Sequence, residues 1–409
     1  MEILSNRNIV ILSLKPWDSE IGSSSKQYAK LFAKEHKVLF INRFIDRMSL
    51  IKYRNDPKIK TRNKSRKFGI GRLEEAESNL WVLNPTRVLE SINKIGIPFL
   101  YDRLNKINGR RIAAEIREVC KEIGFESFVL FIENDFIRGQ YLPDLLTESQ
   151  LNIYYIRDYL PSQSYFKPHG KRIEPLLMRN ADIVFSNSPQ LRDYALQHNP
   201  KSFFLGQGCD FSIFKEEAFP RPKALENIYT PIVGYAGTIT NTRLDEALIL
   251  YAAQQFPQWT FVLVGRALPD FFNSPLHAQP NVVFTGRVKL EEVAMYVSHF
   301  DVCINPQVRN SMTDGNYPLK IDEYLAYGKP VVALKTAAMQ EIFSDYVHLA
   351  DDAASFAKLI EAAYLEKDNV ALQEARRKFA RGHTWQACFE NMERFLRESD
   401  TIAAKLKAV

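Results

Sequence analysis

The chain has 409 residues, of which 46% are hydrophobic and 25% are charged, with a formal net charge of +6. This composition is typical of a globular protein, and the length predicts two domains of ordinary size. No apolar run approaches the roughly 18 residues that a membrane-spanning helix needs. The first residues lack the pattern of a secretory leader, and the four cysteines stand too far apart for a zinc site or a disulfide framework. We therefore expect a protein of the reducing cytoplasm.

The first half alternates short apolar runs with amphipathic segments. Continuous runs of Val, Ile and Phe between helices are typical of parallel strands covered on both faces. The predicted strands are residues 9–14, 38–42, 80–83, 128–132, 153–155, 183–187 and 203–205. The predicted helices include residues 26–34, 110–121 and 190–196. Asp158 comes shortly after one of these strands, where ligands of parallel sheets bind, although a structural loop role is equally compatible with its position.

Residues 43–72 are rich in Lys and Arg and carry much of an excess of about eight positive charges in the first half. One interpretation is a solvated loop. The other is attraction to an anionic surface, such as lipid headgroups, a lipid-linked phosphate or nucleic acid. No nucleic-acid-binding motif accompanies the segment, so nucleic acid is disfavoured. Apolar residues interleave with the charges and favour shallow docking on a membrane: Met48, Leu50, Ile51, Tyr53, Ile59 and Phe68.

The second half repeats the strand and helix alternation after a proline-rich break. Residues 215–231 contain three prolines and predict a linker between a first domain, 1–214, and a second domain, 232–383. Strands are predicted at residues 232–235, 261–264, 282–284, 302–305 and 331–334. Residues 384–409 are assigned to a C-terminal segment, with one long amphipathic helix from 385 to about 405. The fold class that follows is α/β, with two doubly wound domains in series.

The most informative stretch is DVCINPQVRNSMTDGNYPLKIDEYLAYGKPVVAL, residues 301–334. It predicts a strand, a polar loop, a short helix opened by Pro318 and ended by Gly328, and a second strand. The N–H groups of Leu319 and Lys320 are expected to be open at the start of this helix, where anions bind. Glu323 lies one turn further on, and its carboxylate suits ribose hydroxyls. An exposed helical residue without a function is the alternative interpretation of Glu323.

Three glycine-containing loops follow predicted strands of the second half. Gly237 lets a main chain approach phosphate closely, and Arg243 lies a few residues further on. The next two loops contain Gly265 with Arg266 and Gly286 with Arg287. Ordinary surface positions for these arginines are equally compatible with the sequence.

The stretch 301–334 resembles the signature of retaining family-4 glycosyltransferases of the GT-B fold. The resemblance extends to the first half, where LKPWDSEIGSSSKQYAKLFAKEHKVLFINR is similar to glycosyltransferases of the teichuronic-acid and capsular-polysaccharide type. YYIRDYLPSQSYF, NADIVFSNSP and LGQGCDFSIF follow in the order found in that family. The resemblance implies two Rossmann-like domains that face a cleft, with a C-terminal helix that crosses back to the first domain.

The resemblance also implies roles for individual residues. Lys320 and Asp314 are expected near the reacting sugar, and Asp158 is expected on the acceptor side. Asp314 is adjacent to Gly315, the position where relatives carry the first Glu of a Glu-x(7)-Glu pair. The residues expected to bind the donor nucleotide are Gly237, Thr238, Arg243, Gly265, Arg266, Arg287, Val288, Leu319, Lys320 and Glu323.

The implied activity is retaining transfer of a hexose from a UDP- or GDP-sugar, without a metal or other cofactor. The expected acceptor is a bacterial surface glycan or a polyprenyl-linked intermediate, with peripheral contact of residues 43–72 with the inner face of the membrane. Two alternatives stay open: a catalytically silent nucleotide-sugar-binding protein and a sugar-nucleotide epimerase of the same fold.

Overall fold

The computed structural model describes residues 7–19, 23–211, 219–310, 313 and 317–407. The chain divides into a first unit, Met1–Gly206 with Cys388–Val409, and a second unit, Gln207–Ala387. Each unit contains one sheet flanked by helices. The predicted fold class, α/β with two mainly parallel sheets, is confirmed.

The sheet of the first unit has eight strands in the order β3-β4-β2-β1-β5-β6-β7-β8. Strand β3 is antiparallel to β4, and the other neighbouring pairs are parallel. The strands are β1 Asn8–Ser13, β2 Val38–Ile41, β3 Leu73–Glu77, β4 Leu80–Leu83, β5 Phe128–Glu133, β6 Ser149–Ile156, β7 Ile183–Ser186 and β8 Ser202–Phe204.

The sheet of the second unit has six parallel strands in the order β11-β10-β9-β12-β13-β14. The strands are β9 Ile232–Ala236, β10 Thr260–Val264, β11 Val282–Gly286, β12 Val302–Asn305, β13 Val331–Leu334 and β14 His348–Ala350. Every residue of β9, β12 and β13 is buried, so none of these side chains can contact a ligand in solvent. Ligand contacts must therefore come from the loops that follow these strands.

Helices connect most consecutive parallel strands in both units; a short turn joins the antiparallel pair β3 and β4, and 3₁₀ turns lie between β10 and β11. The first eight are α1 Ser24–Ala33, α2 Arg47–Lys52, α3 Pro57–Phe68, α4 Pro98–Glu122, α5 Phe136–Gly139, α6 Leu142–Leu145, α7 Lys167–Asn180 and α8 Pro189–Leu196. The others are α9 Glu246–Gln255, α10 Leu290–Ser298, α11 Lys320–Ala326, α12 Ala337–Phe343, α13 Ala353–Leu365, α14 Val370–Arg381, α15 Trp385–Glu398 and α16 Asp400–Lys407.

The basic segment 43–72 forms helices α2 and α3, so its interpretation as a loop is wrong. Asp46 caps α2 by accepting a hydrogen bond from the Ser49 amide, and Asp56 caps α3 in the same way. Pro57 occupies the first turn of α3, and Gly69, with φ +69°, ends it. These capping residues explain why helices form here although the segment has no apolar stripe.

Other elements also differ from the prediction, among them strand β14, which was not predicted. Helix α4 begins at Pro98, twelve residues before the predicted start, because a proline at the first helical position initiates it. The predicted C-terminal helix is two helices, α15 and α16, which meet at Ser399. The Ser399 carbonyl accepts a hydrogen bond from the Ala403 amide, since Ser favours helix ends over helix interiors. The edge strand β3 was not predicted because its acidic sequence LEEAE has low strand propensity.

Candidate active site

The loops at the carboxyl ends of β9, β10 and β11 meet through their main chains. The Gly237 N–H donates to the Val264 carbonyl oxygen (2.9 Å), and the Gly265 N–H donates to the Gly286 carbonyl oxygen (3.1 Å). Gly265 has φ +138°, and a Cβ added there would lie 2.0 Å from the Gly237 oxygen. The loops that follow β10 and β11 therefore lie beside the predicted phosphate loop after β9, at one edge of the second sheet.

We expect Gly265→Ala to lower the free energy of unfolding by about 2–4 kcal/mol, because its Cβ displaces the Gly237 main chain in a backbone conformation that alanine rarely adopts. Urea titration measures the change. Gly286→Ala is the matched control: its φ is +73°, but its Cβ would meet no atom within 4 Å. Only the left-handed penalty of about 1–2 kcal/mol remains there. Equal losses in the two variants would contradict the proposed main-chain contact.

Lys320 lies directly over the loop that follows β9. Its Nζ donates a hydrogen bond to the Tyr235 hydroxyl (2.7 Å) and lies 4.0 Å from the centre of the Tyr235 ring. The Tyr235 hydroxyl in turn donates to the Thr238 carbonyl oxygen (3.1 Å). A Cβ on Gly237 would lie 3.0 Å from Lys320 Nζ. The structure thus brings Gly237, Thr238 and Lys320 together, and a full positive charge faces a glycine turn.

Glu323 places a carboxylate one turn after Lys320. The side chain is partly buried, and no described residue forms a hydrogen bond or an ion pair with it. Burial raises the pKa of Glu323 to about 7; the charge of Lys320 opposes this rise and that of Asp322 adds to it. A buried carboxylate without a donor is costly in an empty protein. Hydroxyl donors from a ligand would satisfy it.

Helix α11 is held at the end of β9, but it begins later than predicted. The Ala236 N–H donates to the Tyr324 hydroxyl (2.8 Å), and the Tyr324 side chain is completely buried. The helix starts at Lys320, two residues after Pro318. The Leu319 N–H donates to the Tyr317 carbonyl oxygen (3.1 Å), so the expectation that this N–H is open is wrong. The side chain of Lys320 is therefore the better founded anion ligand.

A buried triad that the sequence analysis missed fixes the approach to α11. The Asp322 carboxylate is fully buried and accepts hydrogen bonds from the Tyr317 hydroxyl (2.6 Å) and from His383 Nδ1 (2.6 Å). Burial raises the pKa of Asp322, and both partners oppose that rise. Because Asp322 directly precedes Glu323, these bonds orient the turn that carries Lys320 and Glu323. The sequence signal for this triad was weak: two adjacent acidic residues, Asp322 and Glu323, a few positions after Tyr317.

The other described residues predicted to bind the donor follow strands β9, β10 and β11 at the same sheet edge. Arg243, Arg266 and Arg287 are exposed, and in the described part of the chain no hydrogen bond or ion pair engages their side chains. Val288 is partly buried. Asp314 lies outside the described residues.

In the first unit, charged side chains gather where β1, β5 and β6 end. Asp158 pairs with Arg157 (3.1 Å), and Arg157 Nε lies 3.9 Å from the buried Glu133 carboxylate. Glu133 also accepts a hydrogen bond from the Ser13 hydroxyl (2.6 Å). Burial lowers the pKa of Lys15, as does Arg157, while both carboxylates oppose this change. Arg157 and Lys15 were missed, although each follows an apolar strand closely.

A cavity of about 870 Å³ in the second unit lies at the amino ends of β12 and β13, against Asp301 and Lys329. Ligands of parallel sheets bind at the opposite edge, so this cavity is not the candidate site. Within the described ranges, no three His, Cys, Asp or Glu side chains are grouped as metal ligands. None of the described helices combines the length and apolar character needed to cross a bilayer.

Residues 230–365 match the family described as Glycosyl transferases group 1. This range contains the Gly237 loop, Lys320 and Glu323. TuaH from Bacillus subtilis (strain 168), described as a candidate teichuronic acid biosynthesis glycosyltransferase, is 27% identical over 242 residues. The match covers 55% of this chain and 59% of that relative, so the chain spans about three fifths of the relative's length.

Solved structures share the fold over nearly the whole chain. Sucrose-phosphate synthase from Thermosynechococcus elongatus has a TM-score of 0.65 and 17% identity, covering 96% of this chain and 98% of its own. HepE from Anabaena, in complex with UDP, has a TM-score of 0.63 and 16% identity, covering 96% of this chain and 100% of its own. HepE has also been solved with UDP-glucose. The GT-B fold expected from the sequence is confirmed.

Proposed function

We propose that the chain is a retaining, metal-independent glycosyltransferase. It moves a hexose from a UDP- or GDP-sugar to a bacterial surface glycan or to a lipid-linked acceptor. One observation carries this proposal: the Lys320 ammonium lies over the Gly237–Thr238 turn, and the Glu323 carboxylate, which has no partner among the described residues, follows one helical turn later. A cation beside an open main-chain turn suits a diphosphate, and the carboxylate suits a ribose diol.

The donor nucleotide binds along the carboxyl edge of the second sheet. Lys320 binds the diphosphate, Glu323 accepts hydrogen bonds from the ribose hydroxyls, and the loops with Arg266, Arg287 and Val288 flank the base. Arg243 adds a second positive charge near the diphosphate. The match of this segment to a glycosyltransferase family supports these roles, as does the fold shared with HepE, which binds UDP and UDP-glucose.

The reaction replaces the bond between C1 and the phosphate oxygen with a glycosidic bond to the acceptor, on the same face of the sugar. An acceptor hydroxyl attacks C1 while the bond from C1 to the β-phosphate oxygen breaks. The departing phosphate oxygen takes the proton of that hydroxyl, so no other base is needed. Negative charge grows on the diphosphate as it leaves, and the Lys320 ammonium stabilises it more strongly in the transition state than in the bound donor. Asp158 orients the acceptor hydroxyl, and Asp314 contacts the transferred sugar.

A titration panel tests the proposed function. Uridine, guanosine and adenosine diphosphates and their hexose conjugates are titrated into the full chain, and nucleoside diphosphate release is then followed with a lipid-linked acceptor present. We expect binding of a UDP- or GDP-sugar and release that depends on the acceptor. Binding to adenine nucleotides alone would refute the proposal. Tight UDP binding without release from any donor would instead identify a silent nucleotide-sugar-binding protein.

We also propose that the segment 43–72 binds the inner face of an anionic membrane. Helices α2 and α3 present cationic side chains together with apolar side chains that are at least half exposed. Mixed basic and apolar surfaces bind anionic lipid through both charge and shallow insertion. The exposed apolar residues are Met48, Ile51, Tyr53, Phe68 and Ile70.

We expect the double variant Ile51→Glu and Phe68→Glu to bind phosphatidylglycerol vesicles at least about tenfold more weakly, because it loses two apolar anchors and gains two repelling charges. Vesicle co-sedimentation measures the partition coefficient. Leu365→Glu in the second unit, where the leucine is 81% exposed, is the control and keeps wild-type binding. The membrane proposal fails if the double variant sediments with vesicles like the wild type.

A further inference from the structure

A cavity of about 850 Å³ lies in the first unit at the carboxyl ends of β1, β2 and β5. Leu14, Arg43 and Asp135 follow these strands closely and line it, together with helix α2 and residues 89–94. Ligands of parallel α/β sheets bind outside such strand ends. The cavity therefore has the position of a substrate site in the first unit.

Two guanidinium groups share this cavity. Arg138 pairs with Asp135 (2.6 Å) and is mostly buried. Arg43 reaches solvent, and among the described residues none offers its side chain a hydrogen bond or an ion pair. Repulsion from Arg138 is the main reason why the pKa of Arg43 is lowered, with burial as the second cause. A bound anion would remove this repulsion and occupy the donors of Arg43.

The carboxylates of the cavity wall are already occupied by protein donors. Asp46 accepts hydrogen bonds from the Ser49 amide (2.9 Å), the Ser49 hydroxyl (3.1 Å) and the Ser91 hydroxyl (2.6 Å). Glu90 accepts from the guanidinium groups of Arg47 (2.7 Å) and Arg111 (2.8 Å). The cations Lys52 and Lys94 line the same wall. The donors left over in this cavity therefore suit an anion rather than a cation.

An unpartnered amide and an apolar wall complete the site. Asn93 Nδ2 is buried and has no hydrogen-bond partner in the described structure, and Asn93 lines the cavity. Met48 of α2 and Tyr53, which directly follows α2, also line it while remaining about half exposed, at 53% and 51%. Ile51 of the same helix is exposed but does not line the cavity. An apolar surface thus runs from the cavity along α2 to the proposed membrane-binding side.

We propose that this cavity binds the phosphate end of an isoprenoid-phosphate-linked acceptor. Arg43 and Arg138 bind the phosphate oxygens, the Asn93 amide donates a further hydrogen bond after its side chain turns toward the cavity, and Met48 and Tyr53 cover the first carbons of the lipid. This inference rests on the proposed glycosyl transfer and names the acceptor class. A soluble acidic sugar would use the arginines but would leave the apolar side of the wall uncovered.

Isothermal titration of the full chain with farnesyl phosphate, below its micelle concentration, tests the inference. Farnesol, inorganic phosphate and glucuronic acid are titrated in parallel, and each is expected to bind at least about tenfold more weakly. Arg43→Gln is expected to weaken farnesyl phosphate binding at least about tenfold, because it removes a charge-assisted contact. No described residue forms a hydrogen bond or an ion pair with the Arg43 side chain, so we expect this variant to keep its fold.

Two control variants and a second ligand make the result specific. Arg110→Gln, at an exposed position of α4, and Leu365→Glu, in the second unit, keep wild-type affinity for farnesyl phosphate. Arg43→Gln keeps wild-type affinity for UDP-glucose. Unchanged farnesyl phosphate binding in Arg43→Gln overturns the inference, and so does equally tight binding of farnesol, inorganic phosphate or glucuronic acid. If the wild type binds farnesyl phosphate but no UDP- or GDP-sugar, the proposed donor function is refuted instead.

Discussion

Lys320→Met is expected to lower kcat by about 10²- to 10³-fold, the effect of removing one preorganised donor from a developing oxyanion. Methionine keeps an apolar stem over the Tyr235 ring, so the fold of α11 is retained while the ammonium is lost. The charge on the departing diphosphate is then stabilised by main-chain groups and Arg243 alone. Release of UDP from UDP-glucose in the presence of acceptor, at saturating donor, measures kcat.

Two further lysine variants separate this effect from general loss of charge. Lys358→Met, at an exposed position of α13, removes an equal charge from the same unit and keeps wild-type turnover. Lys320→Arg retains the charge with a different shape and recovers part of the rate. Wild-type turnover in Lys320→Met would show that the diphosphate leaves without this residue.

Glu323 should make donor affinity depend on pH. Its pKa is raised to about 7 in the ligand-free protein, chiefly by burial, while ribose hydroxyls donate to the ionised form. A donor therefore binds better as pH rises through 7, and below 7 affinity falls by at most about tenfold per pH unit. Titrations with UDP-glucose between pH 6 and 8 measure this trend, since its diphosphate loses no proton in that range.

Substitutions of Glu323 test the source of the trend. Glu323→Ala should weaken UDP-glucose binding by about 1–3 kcal/mol at pH 8, because the ribose hydroxyls lose their buried acceptor. Glu323→Gln should give an affinity that no longer changes across this range. Glu361→Gln, at an exposed position of α13, keeps the wild-type profile. A pH trend that persists in Glu323→Gln would assign the titration to another group.

The strands of both sheets could be predicted because burial on two faces leaves continuous apolar runs. Residues 302–305 and 331–334 are strands as predicted, with every side chain buried. The topology rule for parallel sheets also predicted that the loop with Gly237 and the start of α11 share an edge. The helical state of residues 43–72 was not predicted, because its charged surface has no apolar period. The caps at Asp46 and Asp56 are local sequence signals, but the prediction did not use them.

The candidate site could be predicted only in part, because its geometry depends on contacts between residues that are far apart in the sequence. The bond between Asp322 and His383 joins residues 61 positions apart, and the contact between Lys320 and Tyr235 spans 85 positions. Neither pair has a spacing that a helix or strand period would reveal. The cavity beside Arg43 depends in the same way on how α2 and residues 89–94 pack over three strand ends. The roles of Asp158 and Asp314, which the family resemblance implies, stay proposals.

The stacking of Lys320 on Tyr235 also bears on how much donor binding costs. A free lysine side chain loses about 2 kcal/mol of rotamer entropy when it is fixed. Here the ammonium is already restrained by the ring and by the tyrosine hydroxyl in the empty protein. That ordering is therefore complete before a ligand arrives, and the affinity for the diphosphate is not reduced by it.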